Sequence, residues 1–217
     1  MLTPHIEARQ EARTQQRYQV RFAQGESEVR AAQKLRYEVF AEEFGAQLDA
    51  GGSGIDADYY DPYCEHLIVR DETAGRIVGT YRVLAPAAAK RVGSYYSENE
   101  FYLTRLAQLR PQLVEIGRSC IAADHRHGAV IALLWMKLAE YMTRNDYRAM
   151  PRAPLPYDRL ANGQQAEVPP LIKGYLRAGA WVCGEPAWDP YFNSADLLLL
   201  LPMARLAARY QKHFMRG

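Results

Sequence analysis

Short segments of the chain show apolar and polar positions in the pattern that is typical of β-strands. Residues 18–22, 66–70 and 77–84 carry this pattern, and residues 71–75 between the last two have the composition of a turn that ends in glycine. Two strand-like segments joined by a short turn favour an antiparallel hairpin. The pattern therefore predicts one early strand and, later in the chain, a β-hairpin.

Other apolar positions recur at helical spacing. They predict a helix that begins near Ser27, its expected N-cap, and continues through Phe40, and an amphipathic helix over Val130–Asn145. Three further strands are predicted, at residues 113–121, 181–184 and 195–201. A short helix is predicted at residues 170–177, helical connections at residues 87–109, and a basic helix at the C-terminus. The order of these elements indicates an α/β (α+β) fold with a mixed central sheet flanked by helices.

The composition is that of an ordinary folded protein. The 217 residues are 48% hydrophobic and 24% charged, so we expect an N-terminal arm, residues 1–17, and a single domain, residues 18–217. A net charge of +2 gives no reason to expect a nucleic-acid partner. The longest apolar run, residues 195–204, is too short to span a bilayer, and the polar start of the chain has no signal-peptide pattern.

Three widely separated cysteines and two basic ends add little to this picture. Cys64, Cys120 and Cys183 lack metal-ligand spacing, which predicts reduced thiols, no metal site and a cytoplasmic location. The basic N-terminal and C-terminal helical patterns are typical of solvated helix faces. The alternative is an acidic partner, or peripheral contact with an anionic inner membrane.

The most informative segment is the apolar strand that contains Glu115 and Arg118. It leads into a basic turn, Arg126-His127-Gly128-Ala129, that opens the next helix. Amide groups at a helix N-terminus and a nearby cation favour phosphate binding, although a solvated basic cap is the alternative. A carboxylate in a buried strand is costly unless it has partners, so Glu115 is either functional or part of an ion pair.

Several motifs together identify a resemblance. Leu35–Phe40, Asp58–Asp61, Gly79–Arg82 and Glu115–Arg118 resemble the signature of the acyl-homoserine-lactone synthases, which belong to the GNAT-like acyltransferases. The match is closer to a sister family, the L-ornithine Nα-acyltransferases of ornithine-lipid synthesis. The blocks similar to that family cover most of residues 18–215 and include residues 95–98, 109–120, 127–135, 170–177 and 188–190.

The resemblance implies a GNAT-like fold and an N-acyltransferase activity. The family moves a (3-hydroxy)acyl chain from acyl carrier protein to the α-amino group of L-ornithine, the first step of ornithine-lipid synthesis. Only Gly128 remains where acetyl-CoA-using relatives have several glycines. The resemblance therefore favours the phosphopantetheine arm of acyl carrier protein as donor over acyl-CoA, with no permanently bound cofactor.

The same resemblance implies roles for individual residues. Glu115 is the candidate base, directly or through a water, with Arg118 beside it. Arg126, His127, Gly128 and Ala129 are the candidates for holding the donor phosphate. The remaining pocket residues, in which buried arginines need carboxylate partners, are Arg36, Phe40, Asp58, Asp61 and Arg82. A cluster that only stabilises the fold is the alternative for the charged ones.

One departure from the family is predicted. After Tyr147 the relatives continue with a strand and a helix, whereas this chain runs into the proline-rich residues 149–170, which show no periodicity. We therefore expect one strand and one helix to be missing. This leaves open a catalytically silent, shortened paralogue that binds carrier protein or membrane, and an acyl-homoserine-lactone synthase or other amine acyltransferase is a third possibility.

Overall fold

Four antiparallel strands form the first sheet, in the order β1–β2–β3–β4. They are β1 Tyr18–Phe22, β2 Glu65–Asp71, β3 Arg76–Leu84 and β4 Glu115–Ile121. The computed structural model describes residues 17–48, 52–156 (149–156 by their backbone alone), 170–192 and 194–205. The early strand, the hairpin and the apolar strand expected from the sequence are therefore confirmed. The expected arm and C-terminal helix lie outside the described residues, except for Arg17 and the first residues after the last strand.

Helices cover this sheet and connect its strands. Helix α1, Glu26–Tyr37, continues directly into a π-helix, Glu38–Glu43. Its N-cap is Gly25, which has no side-chain cap, so the expected cap at Ser27 is wrong. Acidic side chains in the first turn, Glu26 and Glu28, suit the positive end of the helix dipole instead.

The link from β3 to β4 contains helix α2, Pro86–Val92, and two 3-10 helices, Tyr96–Asn99 and Leu103–Gln112. Helix α3, Ala129–Arg144, follows β4 and packs on β1, β2 and β3. The contact is closest at Gly79, where an added Cβ would lie 2.5 Å from Val130 Cγ1.

A second sheet contains β5 Ala149–Pro156, β8 Ser194–Pro202 and β6 Trp181–Val182 in the order β5–β8–β6, and β7 Ala187–Asp189 also pairs with β8. All these pairings are antiparallel. The expected mixed sheet is therefore wrong for the described residues. Strands β4 and β5 lie side by side but belong to different sheets, joined near their starts by a hydrogen bond from Arg148 N to Gln112 O (3.0 Å).

The prediction of a missing strand and helix after Tyr147 needs correction. Strand β5 begins two residues after Tyr147, and helix α4, Pro170–Ala178, is the next described element. The prolines hid the strand, because proline cannot donate a ladder hydrogen bond and β5 lies at the edge of its sheet, where proline is tolerated. A strand therefore does stand beside β4.

Two apolar clusters join the two sheets, and the smaller one includes Leu84 of β3 and Leu200 of β8. The larger one is the main core. It combines β2 and β3 residues such as Leu67 and Val78 with Leu134 of α3 and Leu199 of β8. None of the helices in the described ranges is long and apolar enough to cross a membrane.

Candidate functional site

Three buried arginines and three aspartates form a closed ring of ion pairs, the Arg–Asp ring. In order around the ring, its members are Arg36, Asp56, Arg118, Asp58, Arg82 and Asp61. Arg36 of α1 is fully buried; its Nε lies 2.9 Å from Asp56 Oδ2 and its Nη2 2.8 Å from Asp61 Oδ1. Each side chain pairs with two of opposite charge, so the ring is electrically balanced.

The ring joins strands β3 and β4 to the loop before β2. Arg82 Nη1 lies 2.6 Å from Asp58 Oδ1 and 2.9 Å from Asp61 Oδ2. Arg118 lies 3.2 Å from Asp56 and 3.1 Å from Asp58. Burial alone would raise the pKa of Asp61, but the charges of Arg36 and Arg82 hold it well below its usual range. The predicted pairing of buried arginines with Asp58 and Asp61 is confirmed.

Arg118 lies in a bulge of β4. Gly117 pairs with Arg82 and Cys120 with Thr80, so Arg118 and Ser119 together face a single residue of β3. Arg118 has φ 50°, a left-handed conformation that is unusual for arginine.

Aromatic rings enclose the guanidinium group of Arg118. It lies 5.0 Å from the Tyr96 ring centroid and 4.2 Å from that of Phe192, and Phe40 packs edge-on against Phe192 at 5.5 Å. The ion pairs and these rings hold the bulge in place. Phe40 contacts this group of residues through the ring of Phe192.

Glu115, the first residue of β4, is 4% exposed and has no cationic partner in the described part of the chain. Its Oε2 accepts a hydrogen bond from Tyr96 N (2.7 Å), and its Oε1 accepts from Ser97 N (2.8 Å) and from the Ser97 hydroxyl. A carboxylate accepts about four hydrogen bonds, so one acceptor position remains. The alternative of an ion pair between Glu115 and Arg118 is therefore wrong.

Glu115 lines a small cavity together with Arg82 and Tyr96. The cavity has a volume of about 10 Å³ and is also bounded by Tyr60 and Gly117. This is about the space that one water molecule needs. The remaining acceptor position of Glu115 can therefore be satisfied by a water in this cavity.

The donor turn, Ala122–Gly128, follows β4. Gly128 has φ 98° and is the N-cap of α3, which has no side-chain cap. The first amides of a helix have no partner inside it, so those of Ala129 and its neighbours are available to an anion. Arg126 donates to Ile121 O (2.9 Å) and pairs with Glu43 of the π-helix at 2.7 Å, and His127 is exposed. Phosphate binding at this turn stays a prediction, and its main cation, Arg126, is paired with Glu43.

Buried hydroxyl groups lie opposite the β4 bulge, and no sequence pattern pointed to them. Trp135 Nε1 donates to Tyr81 Oη at 2.9 Å, and Tyr81 also interacts with the hydroxyls of Ser119 and Tyr175. Burial raises the pKa values of Tyr81 and Tyr175, so both stay protonated. Asp56, Ser97 and Phe192 were missed as well, because loop residues far apart in sequence have no shared pattern.

The cysteines do not suit nucleophilic catalysis. Burial raises the pKa of Cys64, beside the cavity, to about 12, and it also raises that of Cys120. Both thiols are therefore protonated at neutral pH. Cys183 is exposed.

One acidic group resembles a metal-binding set. The carboxylates of Glu100, Asp189 and Asp196 come within 4.8 Å of one another. Each takes part in other interactions, and Asp189 and Asp196 also accept hydrogen bonds from local groups. The absence of a metal site stays a prediction.

Comparisons with known proteins identify the family and the fold of this chain. The family model described as an acetyltransferase (GNAT) domain matches residues 35–136. The L-ornithine N(alpha)-acyltransferase of Rhodobacter capsulatus is 31% identical, over 92% of this chain and 95% of the relative. That of Rhizobium meliloti is 30% identical, over 90% of this chain and 83% of the relative.

The alignments also show a difference in length. The one with the Rhodobacter capsulatus protein extends over 247 positions, although 92% of 217 residues is only about 200. About 47 positions therefore hold a residue in the relative and none here. This chain is therefore shorter than that relative, although β5 and α4, the elements expected to be missing, are present.

Solved structures show the same fold. The acyl-homoserine-lactone synthase LasI has a TM-score of 0.60 at 17% identity, over 92% of this chain and 95% of LasI. FeeM, an N-acyl amino acid synthase from uncultured soil microbes, has a TM-score of 0.59 at 14% identity, over 87% of this chain and 92% of FeeM. The GNAT-like fold is thus confirmed. With its relatives 30–31% identical over nearly their whole length, the chain is an acyltransferase that belongs to the L-ornithine N(alpha)-acyltransferase family.

Proposed function

We propose that this enzyme transfers a 3-hydroxyacyl chain from acyl carrier protein to the α-amino group of L-ornithine, the first step of ornithine-lipid synthesis. The observation that carries the proposal is Glu115. It is buried beside a cavity with one acceptor position left, on the strand that leads to the donor turn. The names of the relatives support ornithine as the acceptor.

Glu115 acts as the general base. An amine must lose a proton when it attacks the thioester carbon, and a carboxylate within hydrogen-bond reach, or one water away, can accept that proton. The three hydrogen bonds from Tyr96 and Ser97 hold the carboxylate in place. The buried Arg82 on the same cavity provides positive charge nearby without blocking Glu115.

The β4 bulge supplies the group that stabilises the oxyanion. A bulge takes backbone amides out of the strand ladder, and Arg118 and Ser119 occupy it. Tyr81, opposite the bulge and protonated, donates the proton that the departing thiolate takes up. Water then returns a proton to Tyr81 and removes the amine proton from Glu115, so that one proton passes in total from the amine to the thiol. The amine thus attacks the thioester directly, with no acyl-enzyme intermediate.

The donor arm follows β4. From Arg118 in the bulge to Ile121 the strand spans about 10 Å at 3.3 Å per residue, and the donor turn continues beyond it to the start of α3. With its thioester at the bulge, the arm's phosphate reaches the donor turn and the start of α3. A single glycine in this turn, Gly128, supports acyl carrier protein over acyl-CoA as the donor. With acyl carrier protein as the donor, the proposed reaction takes place in the cytoplasm. Because the product is a lipid, the proposal also includes peripheral contact of the enzyme with the inner membrane.

A second candidate function is a catalytically silent paralogue that binds carrier protein. The shorter chain favours it, since about 47 aligned positions of a relative are absent here. The cavity at Glu115 also favours a silent paralogue, because its volume of about 10 Å³ is enough for one water molecule but not for a substrate.

Mass spectrometry of the purified full chain separates the two. The protein is incubated with 3-hydroxyacyl carrier protein or the matching acyl-CoA, and with ornithine or other amino acids. N-acylornithine formed from the carrier-protein donor supports the proposal. Binding of carrier protein with no acylated amine supports the silent paralogue, and preference for another amine overturns ornithine as substrate.

A further inference from the structure

His125 is buried, whereas the residues on either side of it in the donor turn are exposed. Its exposed fraction is 3%, whereas its neighbours Ala123, Asp124, Arg126 and His127 are all exposed. Burying a histidine at such a place is unfavourable unless its ring nitrogens have polar partners.

Both ring nitrogens of His125 face carboxylates. Nε2 lies 2.9 Å from Asp71 Oδ2, and Nδ1 lies 2.7 Å from Asp124 Oδ1. Carboxylates only accept hydrogen bonds, so both contacts are hydrogen bonds when both nitrogens carry a proton. Arg17 and Arg76 pair with the same two carboxylates at 2.8 and 2.6 Å, so each carboxylate contacts an arginine as well as His125.

Asp71 is a rigid anchor for this link. It is fully buried at the end of β2 and accepts hydrogen bonds from Thr73 N (2.9 Å) and Ala74 N (3.1 Å) in the hairpin turn. The same carboxylate pairs with Arg17. His125 therefore ties the donor turn to the β2–β3 hairpin, beside a backbone hydrogen bond from Ala122 N to Val78 O (2.9 Å).

We propose that His125 is a positioning residue for acyl-donor binding. By holding the donor turn against Asp71, it fixes Arg126 and the first amides of α3 in the orientation that receives the donor phosphate. His125 does not itself contact the donor. This inference rests on the proposed function only in taking a phosphate-bearing thioester as the donor.

The test compares His125→Gln, Asp71→Asn and the double variant with the wild type. Isothermal titration gives the Kd for 4′-phosphopantetheine, and kinetics give KM for donor and acceptor separately. We expect Kd and donor KM to rise about tenfold, as for other groups that orient a binding element. Ornithine KM and kcat at saturating donor stay unchanged. The double variant is no worse than the single ones, because both changes break one link.

Two further variants serve as controls for the role of His125. Asp124→Asn removes the charge of the exposed partner of His125, and with it the Arg76 ion pair, and is expected to raise donor KM by a smaller factor while preserving the fold. Glu28→Gln breaks the Arg21–Glu28 pair (2.5 Å), far along the chain from the donor turn, and controls for lost stability. A fall in Tm with unchanged Kd and donor KM, as in Glu28→Gln, would overturn the inference.

The outcomes separate this inference from the proposed function. A wild type that binds 4′-phosphopantetheine but acylates no amine refutes the proposed function, and the Kd comparison still decides the role of His125. A wild type that neither binds the probe nor uses the donor refutes both.

Discussion

Glu115 is both a structural cap and the proposed base. Its carboxylate accepts hydrogen bonds from Tyr96 and Ser97 at the start of a 3-10 helix, and its remaining acceptor position serves the cavity. Glu115→Gln keeps the shape but turns an amide NH₂ toward one of these donors. We expect kcat to fall at least about 100-fold and the free energy of unfolding to fall by about 1–3 kcal/mol. Kinetics and urea unfolding measure the two effects.

The matched control for Glu115→Gln is Glu98→Gln in the same 3-10 helix. Glu98 accepts from Tyr95 N (2.8 Å) and pairs with Arg110 (2.7 Å), but it does not line the cavity. This variant should lose stability and keep kcat. If Glu115→Gln also kept its kcat, Glu115 would be a cap and not a base.

Arg36 has no substitute among the amino acids. Its guanidinium reaches Asp56 and Asp61 from two different nitrogens, which the single ammonium of lysine cannot do. Arg36→Lys should lower the free energy of unfolding by about 3–5 kcal/mol, the cost of breaking a buried ion pair. Arg21→Lys at the half-exposed pair with Glu28 should cost less than about 1 kcal/mol. Equal losses in urea unfolding would show that the Arg–Asp ring contributes no more than a surface pair.

At the scale of elements, the sequence predicted those that have a regular local pattern. Strands β2, β3 and β4 and helix α3 were found because their apolar positions recur regularly. Strand β5 was missed because its prolines mimic a loop and are allowed only by its place at the sheet edge. The residues of the site divide in the same way. Some could be found from the sequence because they are charges within apolar runs: Arg36, Arg82, Arg118 and Glu115. Others, such as Asp56 and Ser97, belong to the site only through tertiary contacts.

Packing of α3 on β3 depends on one glycine. An added Cβ at Gly79 would lie 2.5 Å from Cγ1 of the fully buried Val130, one residue after Ala129 at the start of α3. Gly79→Ala should therefore cost about 1–3 kcal/mol of unfolding free energy. It should also raise donor KM, because α3 carries the donor turn with it.

Gly117→Ala in β4 is the matched control for stability. Nothing lies within 4 Å of its added Cβ and its φ is ordinary, so it should leave stability equal or raised. Urea unfolding of the two variants decides the matter. A Gly79→Ala protein as stable as Gly117→Ala would show that α3 shifts freely on the sheet.

At the scale of the whole molecule, the pairing of buried charges says more about the site than the net charge of the chain. The +2 of the sequence predicted nothing about the site, yet three cations and three anions close a neutral ring inside the fold. That ring ties α1, β3 and β4 to one loop, so the same set of ion pairs holds the bulge at Arg118 and the side of the cavity formed by Arg82. Composition cannot reveal it, since only the fold brings these side chains together.

The same framework predicts how the molecule responds to acid. Burial and the charge of Arg36 lower the pKa of His66, which lies 3.6 Å from Asp61. Below pH about 6.5 the unfolded chain binds a proton that the folded one does not, so stability falls as the pH falls, by at most about 1.4 kcal/mol per unit. The lowered pKa values of the carboxylates add a second loss below pH about 4. Those of Glu28 and Asp124 are about 2, and that of Asp61 is also lowered.

Urea unfolding between pH 2 and 8 should therefore show two pH ranges in which the free energy of unfolding falls as the pH falls: an upper limb below about 6.5 and a lower limb below about 4. His66→Gln and His66→Leu remove only the upper limb, whatever they do to stability at pH 8. The slope of the free energy against pH depends on the proton that His66 binds and not on packing. In 1 M salt the part of the lower limb due to the exposed Asp124 pairs should shrink, while that due to buried Asp61 persists. An unchanged slope between pH 5 and 6.5 in both His66 variants would show that His66 is not the group that couples the Arg–Asp ring to pH.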